Sequence, residues 1–121
     1  MNQIARIPAA KPSQTDDLAA FCKAAGDALR LDILRVLRSD SFGVLELAQI
    51  FDMRQSGMSH HLKVLANAGL VSTRREGNSI FYRRSLPVTE QPWHRLHSQL
   101  LNELDGQPDD PQLAQAIAAV H

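Results

Sequence analysis

The chain has 121 residues, a mass of 13.4 kDa and 44% hydrophobic residues, which suits one domain with a buried core. Its 13 basic and 13 acidic residues cancel, which argues against a uniformly basic protein that coats nucleic acid. Cys22 is the only cysteine, so no intramolecular disulfide forms; with neither a membrane-length apolar run nor the apolar segment of a signal peptide, we expect a soluble cytoplasmic protein.

The balanced charge conceals an uneven distribution along the chain. Residues 54–84 hold six basic residues and one acidic residue, a net charge of +5. Residues 1–53 carry −1 and residues 85–121 carry −4. A basic block of this kind is either a solvated charged face or a surface that meets a polyanion.

Four helical patterns come first in chain order. The first helix begins near Asp16, the third covers Val44 to Phe51, and the fourth runs from about Gln55 to Ala68. The positions expected to face the core are, helix by helix, Leu18, Phe21, Cys22 and Ala25; Leu31, Ile33, Leu34 and Leu37; Leu47, Ala48 and Phe51; and Met58, Leu62 and Leu65.

A hairpin and two further helical segments follow the fourth helix. Gly69 is placed where a helix ends in the left-handed conformation. Two strand-like runs, 70–75 and 80–84, flank a turn at 76–79. Helical spacing returns over 93–104, with apolar positions at Trp93, Leu96, Leu100 and Leu104. Asp110 and Pro111 can then cap a last short helix that carries Leu113 and Ile117.

This order predicts a mainly α (α+β) fold, a winged helix-turn-helix with about five helices and a two-stranded β-hairpin wing. We expect a flexible N-terminal tail over 1–14 and the winged-helix domain over 15–104. Residues 105–121 form either a short final helix or the start of a truncated region. The alanine-rich end of the chain leaves these two interpretations open.

The fourth helix is the candidate recognition helix, because its exposed face carries short polar side chains that fit a DNA major groove. Gln55 can form paired hydrogen bonds with adenine, and Lys63 can bind phosphate. Gly57 either allows the backbone to approach DNA closely or is a glycine tolerated near the start of the helix. Neighbouring wing arginines cannot all face one side of the hairpin, and Arg84 is the least certain contact. The candidate DNA contacts are Arg54, Gln55, Ser56, Ser59, His60, His61 and Lys63 on the helix, and Arg74, Arg75, Asn78 and Arg83 on the wing.

Residues 18–84 resemble the ArsR/SmtB family of bacterial winged-helix repressors. The resemblance lies in AAGDALRLDIL at 24–34, RQSGMSHHLKVL at 54–65, and AGLV, RREG and Tyr82 in the hairpin region. It implies a homodimer, paired through the first and last long helices, that binds double-stranded operator DNA with two-fold symmetry and releases it when an effector binds.

The family's known sensing patterns are absent from this sequence, so we identify no effector, although a small molecule remains compatible with the resemblance. The third helix has no thiols, and His94 and His97 lack a third metal ligand, so we expect no cofactor and no metal site. We expect Cys22 to be a small core residue. No catalytic constellation is present, so we expect no enzyme; the alternative function is a regulatory or protein-interaction module, either free-standing or cut from a longer methyltransferase-like protein.

Overall fold

The computed structural model describes residues 13–120, so nearly all of the flexible tail predicted at 1–14 lies outside the described residues. The described residues form six helices and one two-stranded antiparallel sheet, which confirms the predicted winged helix-turn-helix. The sixth helix is the short C-terminal one. The elements are α1 Gln14–Ala25, α2 Ala28–Val36, α3 Val44–Ile50, α4 Gln55–Asn67, β1 Val71–Glu76, β2 Ser79–Arg84, α5 His94–Asp105 and α6 Pro111–Val120.

Helix α1 has a well-defined start, because Ser13 and Asp16 form a reciprocal capping box. Its buried residues are Phe21 and Ala24, one turn apart. The prediction that Leu18 and Cys22 face the core is wrong, since Leu18 is 36% exposed and the Cys22 side chain is exposed as well. Each residue advances about 100° around a helix, so turning Phe21 and Ala24 inward carries Cys22 toward solvent.

The core is built from α1 to α5, with α2, α3 and α4 each contributing three buried apolar residues. The predicted stripe of α4 is confirmed, since Met58, Leu62 and Leu65 are at most 1% exposed. Burying each such side chain contributes about 1.5–3 kcal/mol to folding. This stripe orients α4 so that the opposite side of the helix faces solvent.

A tight turn joins α3 to α4. Asp52 adopts a φ of 51°, a left-handed conformation that Asp tolerates better than most residues. The N–H of Met53 donates to the carbonyl of Ala48 at 2.9 Å, which closes the turn. Helix α4 therefore begins only a few residues after α3 ends, with Arg54 as its N-cap.

The wing follows α4 directly. Gly69 has the predicted left-handed conformation (φ 76°), and the N–H of Leu70 donates to the carbonyl of Leu65 at 2.9 Å. Strands β1 and β2 are joined by a two-residue turn at Gly77 and Asn78. This turn is shorter than the predicted one, because Glu76 and Ser79 pair with each other as part of the strands.

Helix α5 turns most of its apolar positions toward the core. Its buried residues are His97, Leu101 and Leu104, and Trp93 and Leu100 pack against the core, whereas Leu96 is 45% exposed. The imidazole of His97 is buried and meets the ring of Phe21 edge-on at 5.7 Å between centroids. The apolar spacing of the sequence did not indicate that this histidine is buried.

Helix α6 is capped as predicted, since Asp110 Oδ1 accepts from the N–H groups of Gln112 and Leu113. Its residues Leu113 and Ile117 pack against the core, where the helix contacts α3. Whether residues 105–121 begin a longer region stays a prediction. Within residues 13–120, no helix combines the length and the apolarity that a membrane crossing requires.

Candidate nucleic-acid interface

The solvent-facing side of α4 presents nearly all of the predicted helix contacts. Helix α4 has 13 residues and a length of about 20 Å, enough to lie along a DNA groove. No side chain caps the helix at Arg54, which leaves first-turn N–H groups available to water or an anion. The exposed predicted residues of this surface are Arg54, Gln55, Ser56, Ser59, His60 and Lys63.

Gly57 lies under the side chain of Met53. A Cβ atom at position 57 would come within 2.9 Å of the Met53 terminal methyl group. The sequence offered close approach of DNA or tolerance near a helix start as reasons for this glycine. The structure adds contact with Met53 inside the turn between α3 and α4.

His61 differs from the other predicted helix contacts, because it is half-buried and has a partner within the protein. Its Nδ1 lies 3.3 Å from Nη1 of Arg30, at the start of α2. A guanidinium can only donate, so Nδ1 must accept and the ring proton must be on Nε2. The contact fixes one tautomer of His61 and leaves an N–H donor on the other ring nitrogen.

Arg30 is held by the end of α1. Its Nε and Nη2 donate to the carbonyls of Ala24 and Lys23, both at 2.9 Å, and Asp27 Oδ2 lies 3.8 Å from its Nη1. Arg30 is only 9% exposed. No motif in the sequence pointed to Arg30; the available signal was an arginine within the apolar pattern of α2.

The charge state of His61 follows from these neighbours. Partial burial lowers the pKa of His61 below its usual value of 6.5. Asp27 opposes this shift, whereas Arg30 and the neighbouring His60 reinforce it. His61 is therefore neutral at pH 7, in agreement with its role as acceptor from Arg30.

The strand register separates the wing arginines. Ser72 pairs with Arg83 and Arg74 with Phe81, so Arg74 and Arg83 share one face of the hairpin. Arg75 pairs with Ile80 on the opposite face. The four predicted wing contacts are all exposed; they are Arg74, Arg75, Asn78 and Arg83.

Local contacts orient two of these arginines. Arg74 Nη1 lies 3.1 Å from a carboxylate oxygen of Glu76, and its guanidinium lies 5.7 Å from the ring centroid of Phe81. Arg83 Nε donates to the hydroxyl of Ser72 at 3.4 Å. These exposed contacts are weak, so both guanidinium groups remain available to a phosphate.

Arg84, the wing arginine least certain as a DNA contact, faces the protein. Its two terminal nitrogens donate to the two carboxylate oxygens of Asp105 at 3.0 and 2.8 Å, and one also donates to the carbonyl of Leu34 at 3.1 Å. These bonds lower the pKa of the Asp105 carboxyl. Arg84 thus fastens the base of the wing to the end of α5.

The two α5 histidines do not form part of a metal cluster. His97 is buried in the core, and His94 is half-buried near the start of the helix. Across residues 13–120, no group of three or more His, Cys, Asp or Glu side chains is placed to hold a metal ion.

The fold and the exposed basic surface define a winged helix-turn-helix domain. A family model described as a helix-turn-helix domain matches residues 25–74. The biofilm growth-associated repressor of Agrobacterium fabrum is 39% identical over 77 residues, which cover 64% of this chain and 65% of that protein. The transcriptional activator HlyU of Vibrio cholerae is 36% identical over 80 residues, covering 64% of this chain and 74% of HlyU.

Solved structures agree with these matches. A structure of HlyU from Vibrio cholerae has a TM-score of 0.59 and 32% identity, covering 80% of this chain and all of that one. The winged helix-turn-helix domain of Mb0332 from Mycobacterium bovis, described as homodimeric and as a possible ArsR-family regulator, has a TM-score of 0.63 and 27% identity, covering 84% of this chain and 91% of that one. The chain belongs to the ArsR/SmtB family of winged helix-turn-helix transcriptional regulators, a family of DNA-binding proteins rather than enzymes.

Proposed function

We propose that this protein is a cytoplasmic, dimeric repressor that binds a specific operator through α4 and the wing. The observation that carries the proposal is the exposure of ten of the eleven candidate contacts on one continuous stretch of chain, residues 54–83. That stretch lies within the +5 segment of a chain with no net charge. The chain covers 65% of the length of the Agrobacterium repressor and 74% of the length of HlyU. The operator and the effector of this chain are therefore proposals.

In this proposal α4 reads bases and the wing binds backbone. Gln55 has the amide geometry for paired hydrogen bonds to adenine, and Ser59 can bond to a base or a phosphate. His61 contributes its Nε2–H as a donor, and Lys63 contacts phosphate. On the wing, Arg74 and Arg83 reach phosphates from one hairpin face, while Arg75 and Asn78 extend from the other face and the tip; Arg54, Ser56 and His60 complete the contacts at the start of α4.

We further propose that two copies pair through α1 and α5. Both helices keep leucines at the surface: Leu18 on α1 is 36% exposed and Leu96 on α5 is 45% exposed. The Mycobacterium bovis relative is described as a homodimer, which supports the same state here. A two-fold dimer would place its two α4 helices in major grooves about one or two turns of DNA apart.

The direction of regulation is also part of the proposal. The Agrobacterium relative is named as a repressor and HlyU as an activator. We place this chain with the repressors because a domain of this size with basic side chains on α4 and the wing can block a promoter by occupying it. An unidentified effector would relieve that block.

Binding to a duplex selected from a randomised library, and to a scrambled duplex of equal composition, tests this function. We expect tighter binding to the selected duplex, and an affinity that falls with salt with a log–log slope of about −0.9 per neutralised phosphate. Equal affinity for both duplexes at every salt concentration would contradict specific recognition and favour the alternative of a protein-interaction module.

A matched pair of glutamine variants tests the assignment of α4. Gln55→Ala should weaken binding to the selected duplex by about 1–3 kcal/mol with little effect on the scrambled one. Gln115→Ala, at an exposed position of α6, should change neither affinity. Equal effects of the two substitutions would remove Gln55 from the interface.

A further inference from the structure

A cavity of about 360 Å³ lies between the end of α2, the loop before α3, the end of α5 and the start of α6. Its apolar surface comes from residues that also belong to the core or pack against it. The volume falls in the range of small-molecule sites, about 300–1,000 Å³. The apolar lining residues are Val36, Phe42, Leu104, Leu113 and Ile117.

The charged residues around this cavity are mainly acidic. Four aspartates and two arginines line it, a formal net charge of −2. Arg35 lies 3.4 Å from Asp32 and Arg38 lies 3.8 Å from Asp105, which Arg84 also binds, so the excess negative charge lies on Asp109 and Asp110 just before α6. Arg35 also donates to the carbonyl of Pro108 at 2.8 Å. An apolar cavity with excess negative charge favours a ligand that has an apolar body and a cationic group.

Two lining residues also hold the base of the wing. The N–H of Phe42 donates to the carbonyl of Tyr82 at 3.1 Å, and the N–H of Tyr82 donates back at 2.8 Å. Asp105, on the other side of the cavity, binds Arg84 at the end of β2. A ligand in the cavity would therefore touch residues of two attachments of the wing to the helical core.

We propose that this cavity is a binding site for a small amphipathic amine, and that the bound amine changes the affinity of the protein for DNA by shifting the wing. The binding of the amine is inferred from the cavity itself, whereas its effect on DNA affinity rests on the proposed function. A ligand shifts the DNA affinity only by as much as it prefers one wing position over another. The coupling is reciprocal, so DNA must change the affinity for the amine by the same factor.

Benzylamine is the probe for amine binding, with benzoate and benzyl alcohol as analogues of similar size but different charge. We expect benzylamine, titrated into the full chain at pH 7, to perturb backbone amide NMR signals of the cavity residues. Benzoate should bind at least about tenfold more weakly, a difference of about 1.4 kcal/mol. No perturbation at the cavity with benzylamine, or equal binding of benzoate, would overturn the proposal.

Two kinds of variant localise the binding. Ala114→Phe places a large side chain at an exposed position that lines the cavity, and it should abolish benzylamine binding; Ala118→Phe, on the same helix but outside the cavity, should leave it unchanged. Asp109→Asn removes one lining charge with almost no change in volume and should weaken binding several-fold. Unchanged benzylamine binding in both Ala114→Phe and Asp109→Asn would refute the site.

The effect of the amine on DNA affinity is tested with the selected duplex. Saturating benzylamine should change the duplex affinity of the wild-type protein and of Ala118→Phe, and should not change that of Ala114→Phe. Benzylamine binding without any change in DNA affinity would refute the coupling and leave the site. A wild-type protein that prefers no duplex would count against the proposed function, whereas the benzylamine titration still decides whether the cavity binds amines.

Discussion

Replacing Arg30 with methionine tests whether the contact between α2, α1 and α4 has the structural role that its geometry indicates. Methionine keeps much of the apolar stem and removes all five N–H donors. The variant loses the bonds to the carbonyls of Lys23 and Ala24 and the contact with His61. A buried charge is costly in itself, so a methionine that packs well would offset part of the loss.

The magnitude follows from the burial of the groups that lose their partner. Lys23 is exposed, so its carbonyl can bind water in the variant, whereas Ala24 is fully buried. A buried acceptor left without a donor costs about 1–3 kcal/mol, and the lost charge-assisted bond adds to this cost. We expect the free energy of unfolding to fall by about 2–3 kcal/mol.

Urea denaturation at one fixed protein concentration measures this change, because a dimer would make stability depend on concentration. Arg38→Met is the matched control: the Arg38 side chain is 56% exposed and its ion pair with Asp105 spans 3.8 Å, so we expect a loss below about 1 kcal/mol. Imidazole ¹⁵N NMR should show His61 protonated at Nε2 in the wild type and as a mixture of tautomers in Arg30→Met. Equal losses in the two variants, or an unchanged tautomer, would refute the reasoning.

Three further substitutions test separate parts of the fold. Gly69→Ala should destabilise the protein by about 1 kcal/mol in thermal unfolding, because Gly69 has a φ of 76°; an unchanged Tm would contradict this. Burial lowers the pKa of His97, so the unfolded chain takes up protons first as the pH falls below about 6.5, and unfolding free energy should drop with acidification. His97→Gln should flatten that pH dependence, and an equal slope in wild type and variant would exclude His97 as its source. Arg84 lowers the pKa of Asp105, so the stabilisation by this ion pair is present above about pH 4 and is lost as the pH falls through the folded-state pKa. Asp105→Asn should lower the free energy of unfolding by about 1–3 kcal/mol in urea denaturation at pH 7. Little or no change would show that the pair is not stabilising.

Local patterns in the sequence were enough to predict most of the architecture. The stripe of Met58, Leu62 and Leu65 and the glycine at 69 each reflect a rule that acts within one or two turns of chain. The exposed side of α4 follows from the buried one. The family resemblance added the expectation of a regulator of transcription, which the relatives bear out.

The features that were missed depend on contacts between distant parts of the chain. Arg30 and His61 are 31 residues apart, and nothing near either residue indicates the contact. His97 is buried in contact with Phe21 of α1, and the apolar spacing around it gave no sign that a polar residue would enter the core. Because successive residues of a strand point to opposite faces, the sequence placed Arg83 and Arg84 on different faces of the hairpin. The alternation by itself could not show which of the two faces the protein.

The ion pair between Arg84 and Asp105 has a consequence for the proposed dimer. It fastens each wing to the C-terminal end of the same α5 that would pair the subunits. The distance between the two wings is then fixed by how the α5 helices meet, and not by the flexibility of either hairpin. Such a dimer would discriminate operators by the number of base pairs between half-sites, and Asp105→Asn should relax that preference while leaving the bases contacted by α4 unchanged.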